Sequence, residues 1–464
     1  MTDVMHLLNS SHRDEVAKEE MRSRADRFCV LGAGSSGLAV ARSFRQFGIS
    51  FDCLEQAPSI GGNWCFGQPR SSVYRSTRLI SSKRLTEYSD FPMPEHFPDH
   101  PDHELVWQYL RTFAEHFDLY PSIEFNTTVK SLEPAPGSGW FVTIEGGKRR
   151  RYRGVVIANG HNWDPRWPML PGHFNGTFLH SSEYKVPDVL AGRRVLVLGG
   201  GNSGYDIASE SARHASATFH SLRRHYHVLP RYFRGRPIDT CGEWMLEWRM
   251  PLWFRRLSAA RTSRKVWATR NQFRLPRSDH KLFETHPVIN SSWPHDVSRG
   301  QIAIKPNIRE LRGTAVLFED GSREAIDIII CATGFRISFP FLPVERLNWQ
   351  HGQPDLYLNI FHPERDDLFV AGLIQPDSGQ FGIVDFQSQL IAAYIAGLDA
   401  GCARAREFQA VKKTHRWRTP GAIRYVQSPR HLLEVEHSSY RRQLQRWIKR
   451  LRAAHKGNMP AALR

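Results

Sequence analysis

Gly32, Gly34 and Gly37 stand at a spacing suited to holding a pyrophosphate. The apolar run Phe28 to Leu31 leads into them, and a helix with apolar Leu38, Val40, Ala41, Phe44 and Phe47 leads out. Gly32 permits the tight turn, Gly34 lets a pyrophosphate approach the backbone, and Gly37 allows helix and strand to pack closely. Ser36 lies in the same loop, at the positive end of the helix where phosphate oxygens are held. Gly48 ends the helix. Ile49 to Leu54 then form a second strand closing on Glu55, about twenty residues beyond the loop, where an acid meets ribose hydroxyls. A carboxylate there repels a 2′-phosphate, so this first site is expected to take FAD or NAD and not NADP.

The same arrangement recurs. Val195 to Leu198 run into Gly199, Gly201, Asn202, Ser203 and Gly204, and a helix begins at Tyr205. Where the first unit has its acid, the second has Ser221-Leu222-Arg223-Arg224. The Arg223 guanidinium can pair with a 2′-phosphate, so the second site is expected to bind NADPH. Arg224 is left open between a phosphate contact and a solvated surface position. Gly61-Gly62-Asn63-Trp64 follows the first unit closely: Gly62 gives a flexible turn and Trp64 a flat ring, a pairing that lets backbone approach a planar isoalloxazine.

Further elements must hold these loops. Glu104 to Phe117 carry a helical apolar pattern, Ile123 to Phe125 and Trp140 to Ile144 read as strands, and Gly154 to Gly160 form a buried strand directed back at the cofactor. Ser11 and Asp14 are placed to cap a charged lead-in helix ending near Arg24. Arg231 to Glu284 are basic and aromatic, with Trp244, Trp248, Trp253, Phe254 and Trp267 at spacings that suit helices, and read as a helical insertion. Residues 302–307 and 315–321 read as strands and a hairpin returning to the first domain, and Ile326 to Phe335 as a buried strand with a glycine exit.

At 464 residues the chain has room for two to three domains. The six cysteines are scattered, without CxxC or metal-ligand spacing, so no metal is expected and a reducing, cytoplasmic location is. The amino terminus lacks the pattern of a signal peptide, and no apolar stretch reads as long enough to span a bilayer. A net charge of +17 is compatible with peripheral association with an anionic membrane. No nucleic-acid motif accompanies that charge, so nucleic acid is not expected as a partner. An oligomer is left open.

Phe174-x-Gly176-x-x-x-His180-x-x-x-Tyr184 makes the chain recognisable. It resembles the flavin-containing monooxygenases, among the class B flavoprotein monooxygenases, whose motif FxGxxxH plus an aromatic is matched position for position. Ala332-Thr333-Gly334, Leu368 to Leu373 and Gly379-Gln380-Phe381-Gly382 extend the resemblance from Arg27 to about Leu398. It implies an α/β fold of two Rossmann-like dinucleotide-binding domains, the NADPH domain inserted into the FAD domain. The expected boundaries are a polar extension 1–26, FAD domain 27–165, NADPH domain 166–328 with its insertion at about 231–285, and a second FAD part with a basic tail over 329–464. On that pattern the strand Ile326 to Phe335 rejoins the FAD sheet, and Thr333, Gly334 and Gln380 lie at the cofactors. The apolar carboxy-terminal anchor of microsomal relatives is not expected here, since Arg441 to Arg464 reads as basic and polar.

The resemblance further implies hydride transfer from NADPH to FAD, reaction of the reduced flavin with O2 to a C4a-hydroperoxide, and oxygenation of a soft nitrogen or sulfur on a small organic substrate. The cofactor supplies the chemistry, so no acid–base residue is expected and His180 is given no catalytic role. Ile80 falls where the family has an Asn beside the flavin. The alternatives are a Baeyer-Villiger ketone oxygenase, whose motif ends in Trp where this chain has Tyr184, and an NADPH oxidase-like flavoprotein that leaks hydrogen peroxide. A disulfide reductase lacks support without CxxC.

Overall fold

The computed structural model describes residues 24–248, 250–266, 278–414, 423, 425–426 and 431–453. The expected lead-in helix up to residue 23, Trp267 and the end of the chain from residue 454 lie outside the described residues. The first sheet is built around short apolar runs buried along their length, Phe28–Leu31, Gly154–Ile157 and Leu368–Val370, as suits a parallel sheet covered on both faces. Its strand order is Leu368–Val370, Gly154–Ile157, Phe28–Leu31, Phe51–Leu54 and Ile123–Glu124, with every neighbour parallel. Helix Ser35–Gln46 lies on it through Leu38, Val40, Ala41 and Phe44, all buried. Each of the larger side chains among them contributes about 1.5 to 3 kcal/mol by leaving water.

The second parallel sheet runs Thr177–His180, Ile328–Cys331, Arg194–Leu198, Ala217–Ser221 and Ala303–Lys305. It lies in the chain between Gly154–Ile157 and Leu368–Val370, which pair with each other in the first sheet. The second dinucleotide domain is therefore inserted into the first.

Four expectations are corrected. Strand Ile328–Cys331 does not rejoin the FAD sheet: it is an inner strand of the second sheet, with Ile328 opposite both Thr177 and Val195. An apolar run buried on both faces suits the middle of either sheet, and only the pairing chooses. The strand that closes the first sheet is Leu368–Val370. The hairpin Ile308–Gly313 and Ala315–Phe318 also stays with the second unit, joined to Gly172–Phe174 and Arg323–Ala325. Its Leu311, Val316 and Phe318 share a buried cluster with Leu196, Ile329 and Cys331.

The third correction concerns the carboxy-terminal region. Residues read as a basic polar tail form helix His437–Ala453, with Tyr440, Leu444, Trp447, Ile448 and Leu451 buried at helical spacing in the main core. That helix packs on Phe381–Asp399, which in turn packs on Ser35–Gln46. Phe381–Asp399 is also long and apolar enough in composition to cross a membrane, contrary to the reading of the sequence, but most of it is buried inside the fold. The region 231–285 contains a two-strand hairpin, Tyr232–Phe233 with Arg236–Pro237, and helices Glu243–Glu247 and Leu252–Val266.

Candidate functional site

The two glycine loops are built alike. Gly32 and Gly199 turn with φ of 102° and 118°, values open to glycine and strained for other residues. A Cβ on Gly37 would stand 1.7 Å from the Gly32 carbonyl oxygen, and one on Gly204 2.1 Å from that of Gly199. These glycines exist for packing. Gly34 and Gly201 are the caps of their helices in ordinary extended backbone, with no side-chain cap and no acid in the first turn of either helix. A Cβ on Gly34 would meet only Gly62, its Cα at 3.7 Å and its N at 3.9 Å, and one on Gly201 would meet nothing within 4 Å. Open space above an uncapped, positive helix end is what a pyrophosphate needs, so both cradles fit a dinucleotide.

Glu55 is buried beside the first cradle. Its Oε2 accepts from the Ala33 N–H at 2.6 Å and its Oε1 from the Ala57 N–H at 2.8 Å. Burial raises its pKa, and those N–H groups pull in the opposite direction. Ser36 is buried against Gly372, where an added Cβ would fall 2.1 Å from the Ser36 Oγ. The turn at Gly61 and Gly62, both with positive φ, lies over Gly34, and Gly61 N–H donates to the Ala33 carbonyl at 3.0 Å. Trp107 Nε1 fixes this turn by donating to the Ile60 carbonyl at 3.0 Å.

A cavity of about 1810 Å³ opens beside the second cradle. Of the residues singled out from the sequence it takes in Trp64, Ile80, Gly199, Gly201, Asn202, Ser203, Arg223, Thr333, Gly334 and Gln380. Gly32, Gly34, Ser36, Gly37 and Glu55 do not line it and form their own cradle at the end of the first sheet; Gly62 and Gly204 do not line it either. Arg224 Nε meets Asp279 Oδ2 at 2.9 Å, whereas Arg223 is exposed and faces the cavity without a described ion-pair partner. Asn202 has a structural task, its Oδ1 accepting from the Ile289 N–H at 2.9 Å. Thr333 Oγ1 donates to the Arg166 carbonyl, and the Gly334 carbonyl accepts from the Arg166 N–H at 2.9 Å. Gln380 Nε2 donates to the carbonyls of Gly372 and Ile374 at 3.2 and 3.3 Å, ahead of the core helix.

His180 of the FxGxxxH stretch is fully buried, with Nε2 3.0 Å from the Gly334 carbonyl and Nδ1 2.9 Å from Ser182 Oγ. Burial lowers its pKa, so it fastens the exit of strand Ile328–Cys331 as a neutral ring. Tyr184 donates to Glu210 Oε2 at 2.6 Å. Sequence reasoning missed two residues at the cavity. Asp206, one turn into the second helix, accepts from Asn290 Nδ2 at 2.7 Å and is pushed up to about 6 by burial. Asp239, from the insertion, accepts from the Ser82 N–H at 2.6 Å, beside Ile80 and Ser81. Their only signal was an acid within a helix and an acid within a basic loop, and neither marks a site without its neighbours.

A parallel sheet with a pyrophosphate turn and a buried acid, interrupted by a second such sheet that presents an arginine, defines an oxidoreductase that holds two dinucleotides. A family model described as FMO-like, flavin-binding monooxygenase-like, matches residues 25–450. Flavin-containing monooxygenase 5 of Rattus norvegicus is 34% identical over 440 residues, covering 89% of this chain and 80% of its own. Flavin-containing monooxygenase 2 of Homo sapiens is 34% identical over 410 residues, covering 81% and 74%. In fold the chain is similar to oxidized steroid monooxygenase bound to NADP, with a TM-score of 0.69 at 19% identity over 93% of this chain and 98% of that one. The chain belongs to the flavin-containing monooxygenase family, a flavoprotein whose cofactors are FAD and NADPH.

Proposed function

We propose that this enzyme oxygenates a soft nitrogen or sulfur of a small organic substrate, by the route of a C4a-hydroperoxyflavin. The observation that carries the reading is the pair of matched glycine cradles with opposite ribose-end chemistry, Glu55 at one and Arg223 at the other. The balanced reaction consumes NADPH, a proton and O2 and yields NADP, water and the substrate oxide. FAD, when bound, supplies the hydride acceptor and the activation of oxygen. The chain's own part is alignment and dryness. Gly34 and the amides after it hold one pyrophosphate, Gly201 and the amides after it the other, and Arg223 the 2′-phosphate. Trp64, Ile80 and Phe381 line the cavity with apolar surface that limits water at the reacting centre.

Anaerobic addition of NADPH to the FAD-loaded protein tests the first half, through bleaching of the flavin. Readmission of air with an amine or sulfide, followed by product analysis, tests the second. A flavin left oxidised by NADPH sinks the reading. One observation favours a second reading: Ile80 lines the cavity with a side chain that cannot hydrogen-bond. An enzyme without an amide at that point is expected to release hydrogen peroxide when substrate is absent.

A further inference from the structure

One short segment belongs to both nucleotide units. Tyr74 is buried in the core of the second unit with Tyr184, Val195, Tyr205 and Ile207, whereas Leu79, a few residues on, is buried in the main core of the first. The far end is tied to the first unit through backbone. The Leu79 N–H donates to the Pro101 carbonyl at 2.8 Å, and the Thr77 carbonyl accepts from the His103 N–H at 3.1 Å. The near end is tied to the second unit. The Arg75 N–H donates to the Lys185 carbonyl at 2.9 Å, and Lys185 Nζ donates back to the Ser71 and Val73 carbonyls at 2.6 and 3.2 Å. Ile80, directly after Leu79, lines the cavity.

Helix Asn202–His214 grips the near end of this tie. Asp206 and Glu210 lie one turn apart on one face of the helix. The Tyr74 hydroxyl faces Ser203 and Asp206, at the phosphate end. Glu210, 7% exposed, takes two hydrogen bonds on one oxygen: Oε2 accepts from the Ser76 hydroxyl at 2.9 Å and from the Tyr184 hydroxyl at 2.6 Å. Tyr184 ends the FxGxxxH stretch, and its ring lies 5.6 Å from that of Tyr74.

A carboxylate is costly to bury, and packing alone does not call for one, since an apolar side chain of similar size would fill the same space. An apolar side chain would not hold Ser76. Glu210 is therefore placed to fix the helix that opens on the second cradle against the segment that leads to Ile80.

We propose that Glu210 is a positioning residue for hydride transfer: by holding Ser76 and Tyr184 at once, it sets helix Asn202–His214 against segment 74–80 and so aligns the two cofactor sites. Glu210 does not line the cavity, so it acts through these two hydroxyls. The step it serves takes a hydride from NADPH, leaving NADP, and adds it to oxidised FAD, giving the reduced flavin. Such a transfer slows steeply when donor and acceptor are displaced by as little as about 1 Å. The proposal rests on the monooxygenase reading above for the hydride step, and on the tie itself for the alignment.

Hydrogen–deuterium exchange on the FAD-loaded protein without NADPH reads the tie. Ser76 is at the surface, so Ser76→Ala leaves both cores intact. In that variant and in Glu210→Leu, the amides of residues 74–80 are expected to exchange about tenfold or more faster than in wild type, while those of Phe28–Leu31 and Arg194–Leu198 keep their wild-type rates. Anaerobic stopped-flow absorbance reads the alignment. Both variants are expected to lower the limiting rate of flavin reduction at saturating NADPH about tenfold or more, with the NADPH Kd within about threefold and flavin per polypeptide unchanged. Glu210→Gln, which keeps an oxygen able to accept from both hydroxyls, is expected to return the rate to within about threefold of wild type. Wild-type limiting rates in Ser76→Ala and Glu210→Leu overturn the proposal, whatever the exchange shows. So does a loss confined to the NADPH Kd, or a Glu210→Gln rate no better than that of Glu210→Leu. Faster exchange in the variants, beside a wild-type flavin that NADPH leaves oxidised, overturns the monooxygenase reading and leaves Glu210 as the residue that aligns the two units.

Discussion

The Gly32 carbonyl oxygen lies where a side chain on Gly37 would begin, 1.7 Å from the position of its Cβ. Gly34, three residues earlier, has no such neighbour, its nearest being Gly62 Cα at 3.7 Å. One glycine therefore serves the fold, and the other leaves open the space that the proposed pyrophosphate would take.

The two substitutions separate accordingly. Gly37→Ala is expected to force helix Ser35–Gln46 away from its strand, a strain of about 1 to 3 kcal/mol or more, seen as a lower melting temperature of the apoprotein. Gly34→Val is expected to leave the apoprotein's circular dichroism intact and to abolish FAD binding, measured as flavin per polypeptide after purification. A full complement of FAD in Gly34→Val would remove that loop from the flavin site.

Arg223 and Arg224 are adjacent yet differ in what they already hold. Arg223→Ala is expected to raise the KM for NADPH about 10- to 100-fold, from the loss of about 1.5 to 3 kcal/mol of charge-assisted hydrogen bonding, and to change NADH little. Arg224→Ala, which releases Asp279, should affect NADPH less. Equal losses with both coenzymes in the Arg223 variant would move the phosphate contact elsewhere.

Asp206 predicts a pH effect on stability. Its folded pKa, about 6, lies above the usual 3.8 because of burial, so the folded state holds its proton longer than the unfolded one does. The group therefore costs stability as pH rises from about 4 to 6, and the full cost, up to about 3 kcal/mol, persists above that. Asp206→Asn is expected to melt higher than wild type near neutral pH, with the gap closing below pH 4. A gap independent of pH would mean that the carboxyl is not the cause.

At Ile80, an introduced amide should add a net hydrogen bond of about 0.5 to 1.5 kcal/mol to a group on the oxygen-reacting side of the flavin. Ile80→Asn is expected to lengthen the life of the oxygen adduct about 2- to 10-fold in stopped-flow absorbance, and to lower hydrogen peroxide formed per NADPH. Equal lifetimes in the two proteins would take Ile80 out of the oxygen-reacting site.

Much of the first unit is legible locally, because its determinants are neighbours in the chain. Gly32 to Gly37 with the flanking apolar runs specify strand, turn and helix through steric rules spanning a few residues, and Gly199 to Gly204 do the same again. Helix Glu104 to Phe117 was readable for the same reason, its apolar period being visible in the sequence and its observed span His103–His116.

What the sequence by itself determined was therefore the two cradles and their order. Tertiary structure alone decided which sheet received which strand. Ile328–Cys331 and Leu368–Val370 are both short buried apolar runs, and burial on two faces erases the alternation that would tell one sheet from another. It alone turned the basic residues after His437 into a core helix, because the arginines there lie between apolar side chains that close on Phe381–Asp399. And it alone brought His286 and Asp377 to the wall of one cavity, since residues from distant segments leave no spacing to read and meet only when the chain folds back on itself.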